Sequence, residues 1–324
     1  MEFRTVIKPL DFKGLVSHHS KMMTLGSCFA DEISSFLRRD GFNIMTNPFG
    51  TLYNPKSICE TLKRIVRKED FTQNEIICRK ESGSDIFCCI GSSSLFNSEK
   101  EEVTLYNANN ALGNAHYFLR DADILTITLG TARCYYLKDK DIPVANCHKF
   151  PADRFYYKRL SPEETAAEIT GAISELREIN PEIKIIVTVS PNRYLSYGFH
   201  ESVIDKSILL LATEKICSLP GVLYFPAYEA VMDDLRDYRF YSTDMIHPSD
   251  QAVEYVYSLF SNSFFNKQTI EIAKECSRLS QMRNHRILNH GQSENHFKNL
   301  EKKERELFSR YSFLNHFFDK TKEL

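Results

Sequence analysis

The stretch Met22-Met23-Thr24-Leu25-Gly26-Ser27-Cys28-Phe29-Ala30 decides how this chain is read. Met22 to Leu25 is an apolar run of the kind that forms a buried strand, and Phe29 to Arg39 spaces its apolar residues as a helix does. Ser27 therefore falls at the start of a helix, directly after a strand. Two readings of that serine are open. Its side chain can cap the helix, or its hydroxyl can stand exposed beside free backbone N–H groups, which suits a nucleophile whose product is an oxyanion.

Working outward, strand-like runs recur at Phe42–Met45, Ile124–Leu129, Ile185–Val189 and Val222–Phe225. Helical patterns lie at Pro55–Arg67, Ser161–Asn180 and Asp205–Leu219, and another follows at Ser249–Phe260. This alternation predicts an α/β fold with a parallel sheet covered on both faces. Such sheets bind ligands at the carboxyl ends of their strands, where Ser27 follows the first strand and Gly130 the third. Residues 68–118 break the rhythm with Gly91-Ser92-Ser93-Ser94 and an Asn-rich patch at Asn107–Asn110, and read as an insertion over the sheet's edge or mouth. Residues 1–262 thus form the main domain, and 263–324 a polar helical appendage. Its Phe308, Tyr311, Phe313, Phe317 and Phe318 need a packing surface and offer a candidate route to a homo-oligomer.

The 324 residues suffice for one large α/β domain or two smaller ones. With 42% hydrophobic and 26% charged residues the chain reads as soluble and globular. A net charge of −2 gives no reason to expect nucleic acid or an anionic membrane as partner. Nine irregularly spaced cysteines without a C-x-x-C pair read as free thiols, which favours a cytoplasmic location. Met1 to Leu10 lacks the apolar core of a signal peptide, and no run has the length of a membrane span. His18 and His19 have no further ligand at metal spacing, so neither metal nor cofactor is expected.

Asp244-Met245-Ile246-His247-Pro248 complements the first stretch. A carboxylate three residues before a histidine can hold one imidazole nitrogen while the other faces a serine, which supplies nucleophile, base and orienter. The same spacing also occurs in ordinary solvated turns. Other polar residues read as structural: Cys28 as a small buried side chain, His148 as a local hydrogen-bonding group, Asp205 and Lys206 as a solvated helix start.

Gly26-Ser27-Cys28-Phe29-Ala30, with Asn47-Pro48-Phe49-Gly50 and Tyr53-Asn54-Pro55 after it, resembles the GSCFA family, which is similar to the SGNH (GDSL-like) hydrolases. Thr128–Ala132, Val144–Lys149, Thr188–Pro191, Tyr224–Glu229 and Leu235–Tyr241 carry the resemblance across residues 1–262. It implies a flavodoxin-like three-layer α/β/α sandwich and a serine esterase cleaving an O-acyl ester, with O-acetyl groups on carbohydrate foremost. By that resemblance Ser27 is the nucleophile, His247 the base and later the acid, and Asp244 the residue that fixes the imidazole. The backbone N–H groups of Ser27 and Gly50 would bind the oxyanion. SGNH enzymes carry Gly-x-Asn after the third strand, whereas Gly130-Thr131-Ala132 stands here, which leaves Asn47, Thr131 and Asn146 as candidates for the third donor. The same machinery can serve an acyltransferase, and a pocket lacking that donor can bind a glycan without turnover.

Overall fold

The computed structural model describes residues 5–284 and 290–318. Strand β1 (Lys21–Gly26) leads to helix α1 (Cys28–Arg39), β2 (Asn43–Thr46) and α2 (Pro55–Arg67). A hairpin, β3 (Ile76–Glu81) and β4 (Ser84–Cys89), precedes α3 (Glu101–Arg120) and β5 (Ile124–Leu129). Then come β6 (Arg133–Leu137), β7 (Ile142–Val144) and β8 (Phe155–Arg159), followed by α4 (Pro162–Ile179), β9 (Lys184–Val189), α5 (Phe199–Ile216) and β10 (Val222–Tyr224). A short turn α6 (Ala227–Glu229), α7 (Asp250–Phe264), α8 (Lys267–Asn284) and α9 (His290–Arg310) complete the part that bears on the site.

The helices begin where local chemistry directs. Asn54 accepts from Ser57 N–H at 2.8 Å ahead of Pro55, so the orphan donors of α2 are met and proline sits where it lacks nothing. At α4, Ser161 and Glu164 form a reciprocal capping box, with distances of 2.8 and 3.1 Å.

The main sheet has five parallel strands in the order β10-β9-β5-β1-β2. That is the flavodoxin-like order, whose switch point lies between β1 and β5. Alternate strand residues face opposite layers. Met23, Leu25, Leu125, Ile127, Ile185 and Val187 pack on one side with α2, α3, α4 and α5. Met22, Ile124 and Ile186 pack on the other with Phe29 and Leu37 of α1 and Val253 and Val256 of α7.

Residues 68–118 do more than overlie an edge. Ala108, Leu112, Ala115 and Leu119 are fully buried in the larger core, so α3 belongs to the helical layer. The second sheet, order β7-β6-β8, is antiparallel and was not read from the sequence. The boundary expected at 262 falls inside α7.

Beyond α7 the chain folds back on α1. Ser280 donates to the Arg39 carbonyl at 2.8 Å, and Cys276 lies so close to Gly41 that a β-carbon there would stand 2.6 Å from its sulfur. Tyr311, Phe313 and Phe317 pack on Ile272, Leu279, Leu307 and Leu314, whereas Phe308 is 43% exposed. The side chain of Phe318 lies outside the described residues.

Gly26 fixes the turn that ends β1. Its φ is +150°, and a β-carbon would lie 2.3 Å from the Thr128 carbonyl oxygen. Gly26→Ala should therefore destabilise the fold by about 2–4 kcal/mol through strain and overpacking, read as a lowered urea midpoint. A midpoint equal to wild type would mean that β1 and β5 separate freely.

Candidate active site

Ser27 is the residue between β1 and α1, and its side chain makes no capping hydrogen bond. The helix-cap reading is thereby set aside. The side chain is not exposed as expected: Ser27 is wholly buried, and its Oγ has no hydrogen-bond partner. Burial follows from loops that close around the turn. Leu52 N–H donates to the Gly26 carbonyl at 2.8 Å, and Gly130 and Thr131 N–H donate to the Tyr53 carbonyl at 2.8 and 2.9 Å. A buried hydroxyl without a partner costs about 1–3 kcal/mol and calls for an explanation.

The second stretch is preformed. Asp244 Oδ2 lies 2.7 Å from His247 Nδ1, and its Oδ1 accepts from the N–H groups of Ile246 and His247 at 2.9 and 3.1 Å. The bond to His247 is the main reason the Asp244 carboxyl is held down to about 2. A left-handed Met245, φ +59°, lets the loop curl so that the carboxylate meets both amides. Ser242 N–H donates to the His247 carbonyl at 2.8 Å, and Arg193 N–H to the Ile246 carbonyl at 3.2 Å. His247 and Asp244 are 42% and 45% exposed in their side chains, and neither contacts the Ser27 hydroxyl.

The expected oxyanion donors have other partners. Ser27 N–H donates to the Thr128 carbonyl at 3.2 Å, and Gly50 N–H to the Asn47 carbonyl at 2.7 Å. Gly50 packs on Ser93, not on open space: a β-carbon there would lie 1.8 Å from Ser93 Oγ. Asn47 braces the Gly26–Ser27 turn, its Oδ1 accepting from Gly26 N–H and its Nδ2 donating to Asp31, both at 2.8 Å. Thr131 Oγ1 donates to Asp205 Oδ2 at 2.8 Å. Asn146 accepts from His148 N–H at 2.6 Å, and His148 Nε2 lies 2.9 Å from the Cys89 carbonyl oxygen. Burial pushes His148 down to about 4, which makes it a neutral prop under the β3–β4 hairpin.

Three groups near Ser27 escaped the sequence reading. Asn192, just past β9, is 2% exposed and donates from Nδ2 to Cys28 Sγ at 2.9 Å. Burial, helped by Glu32, pushes the Cys28 thiol up to about 11, so it is a poor nucleophile near neutrality. Glu32 itself is raised to about 7, chiefly by burial, although His247 pulls the other way. Lys206, expected at a solvated helix start, is 2% exposed. Its Nζ donates to the carbonyls of Gly130 and Ser190, both at 2.6 Å, and so joins the carboxyl ends of β5 and β9. Its neighbour Asp205 is equally buried and takes Arg133 and Arg159 at 3.2 and 2.7 Å. The signal for both was an Asp-Lys pair placed just ahead of the apolar run Ile208–Leu211 of α5. Among the described residues no acidic, histidine and cysteine cluster suits a metal.

The sequence matches the GSCFA family over residues 21–260, which spans the main sheet and the site. The chain belongs to the GSCFA family. The family segment ends within α7, so α8 and α9 lie outside the match. Among solved structures this GSCFA protein is similar to a carbohydrate esterase family 3 protein from Talaromyces cellulolyticus, at 11% identity and a TM-score of 0.35, over 79% of this chain and 99% of the other. It is also similar to a family 3 carbohydrate esterase from Clostridium thermocellum, at 11% identity and a TM-score of 0.32, over 80% and 98%. An acetyl xylan esterase from the rumen bacterium Butyrivibrio proteoclasticus gives 11% identity and a TM-score of 0.35, over 80% of this chain and 64% of that one. No curated protein matches the sequence.

Lys206 gives the GSCFA protein a pH signature. Burial pushes its ammonium down to about 7, against the upward pull of Asp205. An unfolded chain holds an ordinary lysine proton to about 10.4. As pH rises above about 7, the folded state gives up a proton that the unfolded state keeps, so the contribution of Lys206 to stability becomes more favourable. At lower pH both states hold the proton and the contribution is constant. The stability of wild type relative to Lys206→Met, measured by urea unfolding, should therefore rise by roughly 1 kcal/mol per pH unit between about 7 and 9. A constant difference would mean that the folded lysine stays charged.

Proposed function

We propose that this protein is a serine esterase that cleaves a short O-acyl ester, O-acetyl on carbohydrate foremost, through an acyl-enzyme on Ser27. The observation that carries this reading is the partnerless, buried Ser27 Oγ at the N-terminal end of α1, together with the ready-made Asp244–His247 pair. The Arg193–Ile246 backbone bond ties the loop of that pair to the segment after β9, at the carboxyl end of the sheet where Ser27 also lies. Family membership and the similarity of GSCFA proteins to SGNH hydrolases agree with the same chemistry.

In this mechanism Asp244 holds Nδ1 of His247, which leaves Nε2 to take the Ser27 proton as Oγ attacks the ester carbonyl carbon. The bond needs His247 to come within reach of Ser27 when substrate is bound, as apo geometries commonly require. The first-turn amides of Cys28 and Phe29 have no backbone carbonyl partner among the described residues and can meet the oxyanion at the positive end of α1. His247 then protonates the leaving alcohol, and water, activated by the same imidazole, releases the acid. A sugar hydroxyl in place of water would make the enzyme an acyltransferase. A reducing cytoplasm suits its nine free thiols.

Ser27→Ala should abolish turnover of 4-nitrophenyl acetate and labelling by a fluorophosphonate. Because the hydroxyl has no partner to lose, the melting temperature of that variant should stay level or rise. Full turnover in pure Ser27→Ala would remove serine from the mechanism. Asp244→Asn should fold and lose about 10⁴ in kcat through a wrong imidazole tautomer; normal kinetics would leave the pair as a structural turn.

A further inference from the structure

We infer that Asn192 supplies the side-chain donor to the oxyanion, from the loop after β9, a role that Asn47, Thr131 and Asn146 do not fill. The inference rests on the serine-esterase reading and assigns one further catalytic residue to it. Position comes first. The Asn192 amide touches Cys28, the residue after Ser27, at 2.9 Å. Its chain neighbour Arg193 bonds through N–H to Ile246, the residue before His247, at 3.2 Å. The loop that carries Asn192 thus contacts the chain neighbours of both the nucleophile and the base. Lys206 fixes the start of this loop by gripping the Ser190 carbonyl at 2.6 Å.

The state of the amide points the same way. An asparagine side chain has two donor hydrogens and a carbonyl with two lone pairs. Asn192 is 2% exposed, yet its Oδ1 has no partner, and its one side-chain bond goes to a thiol, a weak acceptor. Asparagines with structural roles here are better matched. Asn180 donates to two carbonyls, and Asn47 is engaged at both ends of its amide.

A half-turn of the Asn192 amide exchanges the unpaired acceptor for an unpaired donor. Its two ends are nearly isosteric. After the turn the Cys28 thiol donates to Oδ1, and the NH₂ group takes the partnerless position, ready for an anion. The thiol keeps its proton for this purpose, since burial pushes it up to about 11. As negative charge grows on the carbonyl oxygen, a fixed NH₂ donor gains in the transition state what it does not gain in the ground state.

The test compares kcat and KM for 4-nitrophenyl acetate in wild type, Asn192→Ala, Asn192→Asp and Cys28→Ala, with melting curves for each. Asn192→Ala and Asn192→Asp should lose about 10²–10³ in kcat with KM within about threefold, while Cys28→Ala, which keeps the backbone N–H and removes only the thiol that orients the amide, should lose about tenfold. Asn192→Asp keeps the volume and decides the matter if Asn192→Ala melts below the assay temperature. Asn192 variants with near wild-type kcat would overturn the assignment, as would a Cys28→Ala loss equal to theirs, which would make Asn192 only a prop for the thiol. Either result leaves the esterase reading intact. Wild type that neither turns over ester nor labels at Ser27 with a fluorophosphonate would overturn both.

Discussion

At the carboxyl end of β1 the main chain comes so near β5 that a methyl group on Gly26 would press on the Thr128 carbonyl oxygen at 2.3 Å. The same oxygen accepts Ser27 N–H, which ends the strand and starts α1 one residue on. Neighbouring loops are then tied to this one point. Leu52 N–H reaches the Gly26 carbonyl, the Asn47 side chain reaches Gly26 N–H, and the loop after β5 hangs on the Tyr53 carbonyl. These bonds join the segments after β2 and β5 to the end of β1. Ser27 is wholly buried at this junction.

The two halves of the proposed site differ in how they are held. Ser27 sits in a cage of backbone hydrogen bonds, whereas His247 takes its orientation from one exposed carboxylate. Backbone bonds closed by a sheet resist motion because many must open at once. The loop of His247 is held by the Arg193–Ile246 and Ser242–His247 bonds and the Tyr241–Pro248 bridge, all outside the main sheet. Ser27 is thus fixed by the sheet, and His247 by bonds within its own loop.

A buried polar layer lies at the carboxyl ends of β5 and β9. Isolated charges in such a place would cost several kcal/mol each, and here they are met: Asp205 by Arg133, Arg159 and Thr131, and Lys206 by two carbonyls. Arrangements of this kind add little net stability over apolar packing but fix direction, because each bond has a required geometry. The result is that the carboxyl ends of β5 and β9 keep a set spacing, on which the positions of Thr131 and Asn192 depend.

The sequence by itself determined the alternation of strands and helices, the placement of Ser27 at the β1–α1 junction, and the local pairing of Asp244 with His247. These follow from periodicity, capping and a three-residue spacing, all encoded within a few neighbours. Helix α5 was read from Asp205 although it begins at Phe199, because its buried Asp205 and Lys206 looked like a solvated start. The β6–β8 sheet was missed because its strands are short and interrupted by polar turns. Only the tertiary structure decided the partners of the polar groups. Asn47 and Thr131 carry the right atoms for an oxyanion site, yet Gly26, Asp31 and Asp205 claim them. Asp205 lies 74 positions from Thr131, and Asn192 lies 164 from Cys28. Hydrogen-bond partners so far apart in sequence are chosen by how strands and loops pack, and no local pattern of residues records that choice.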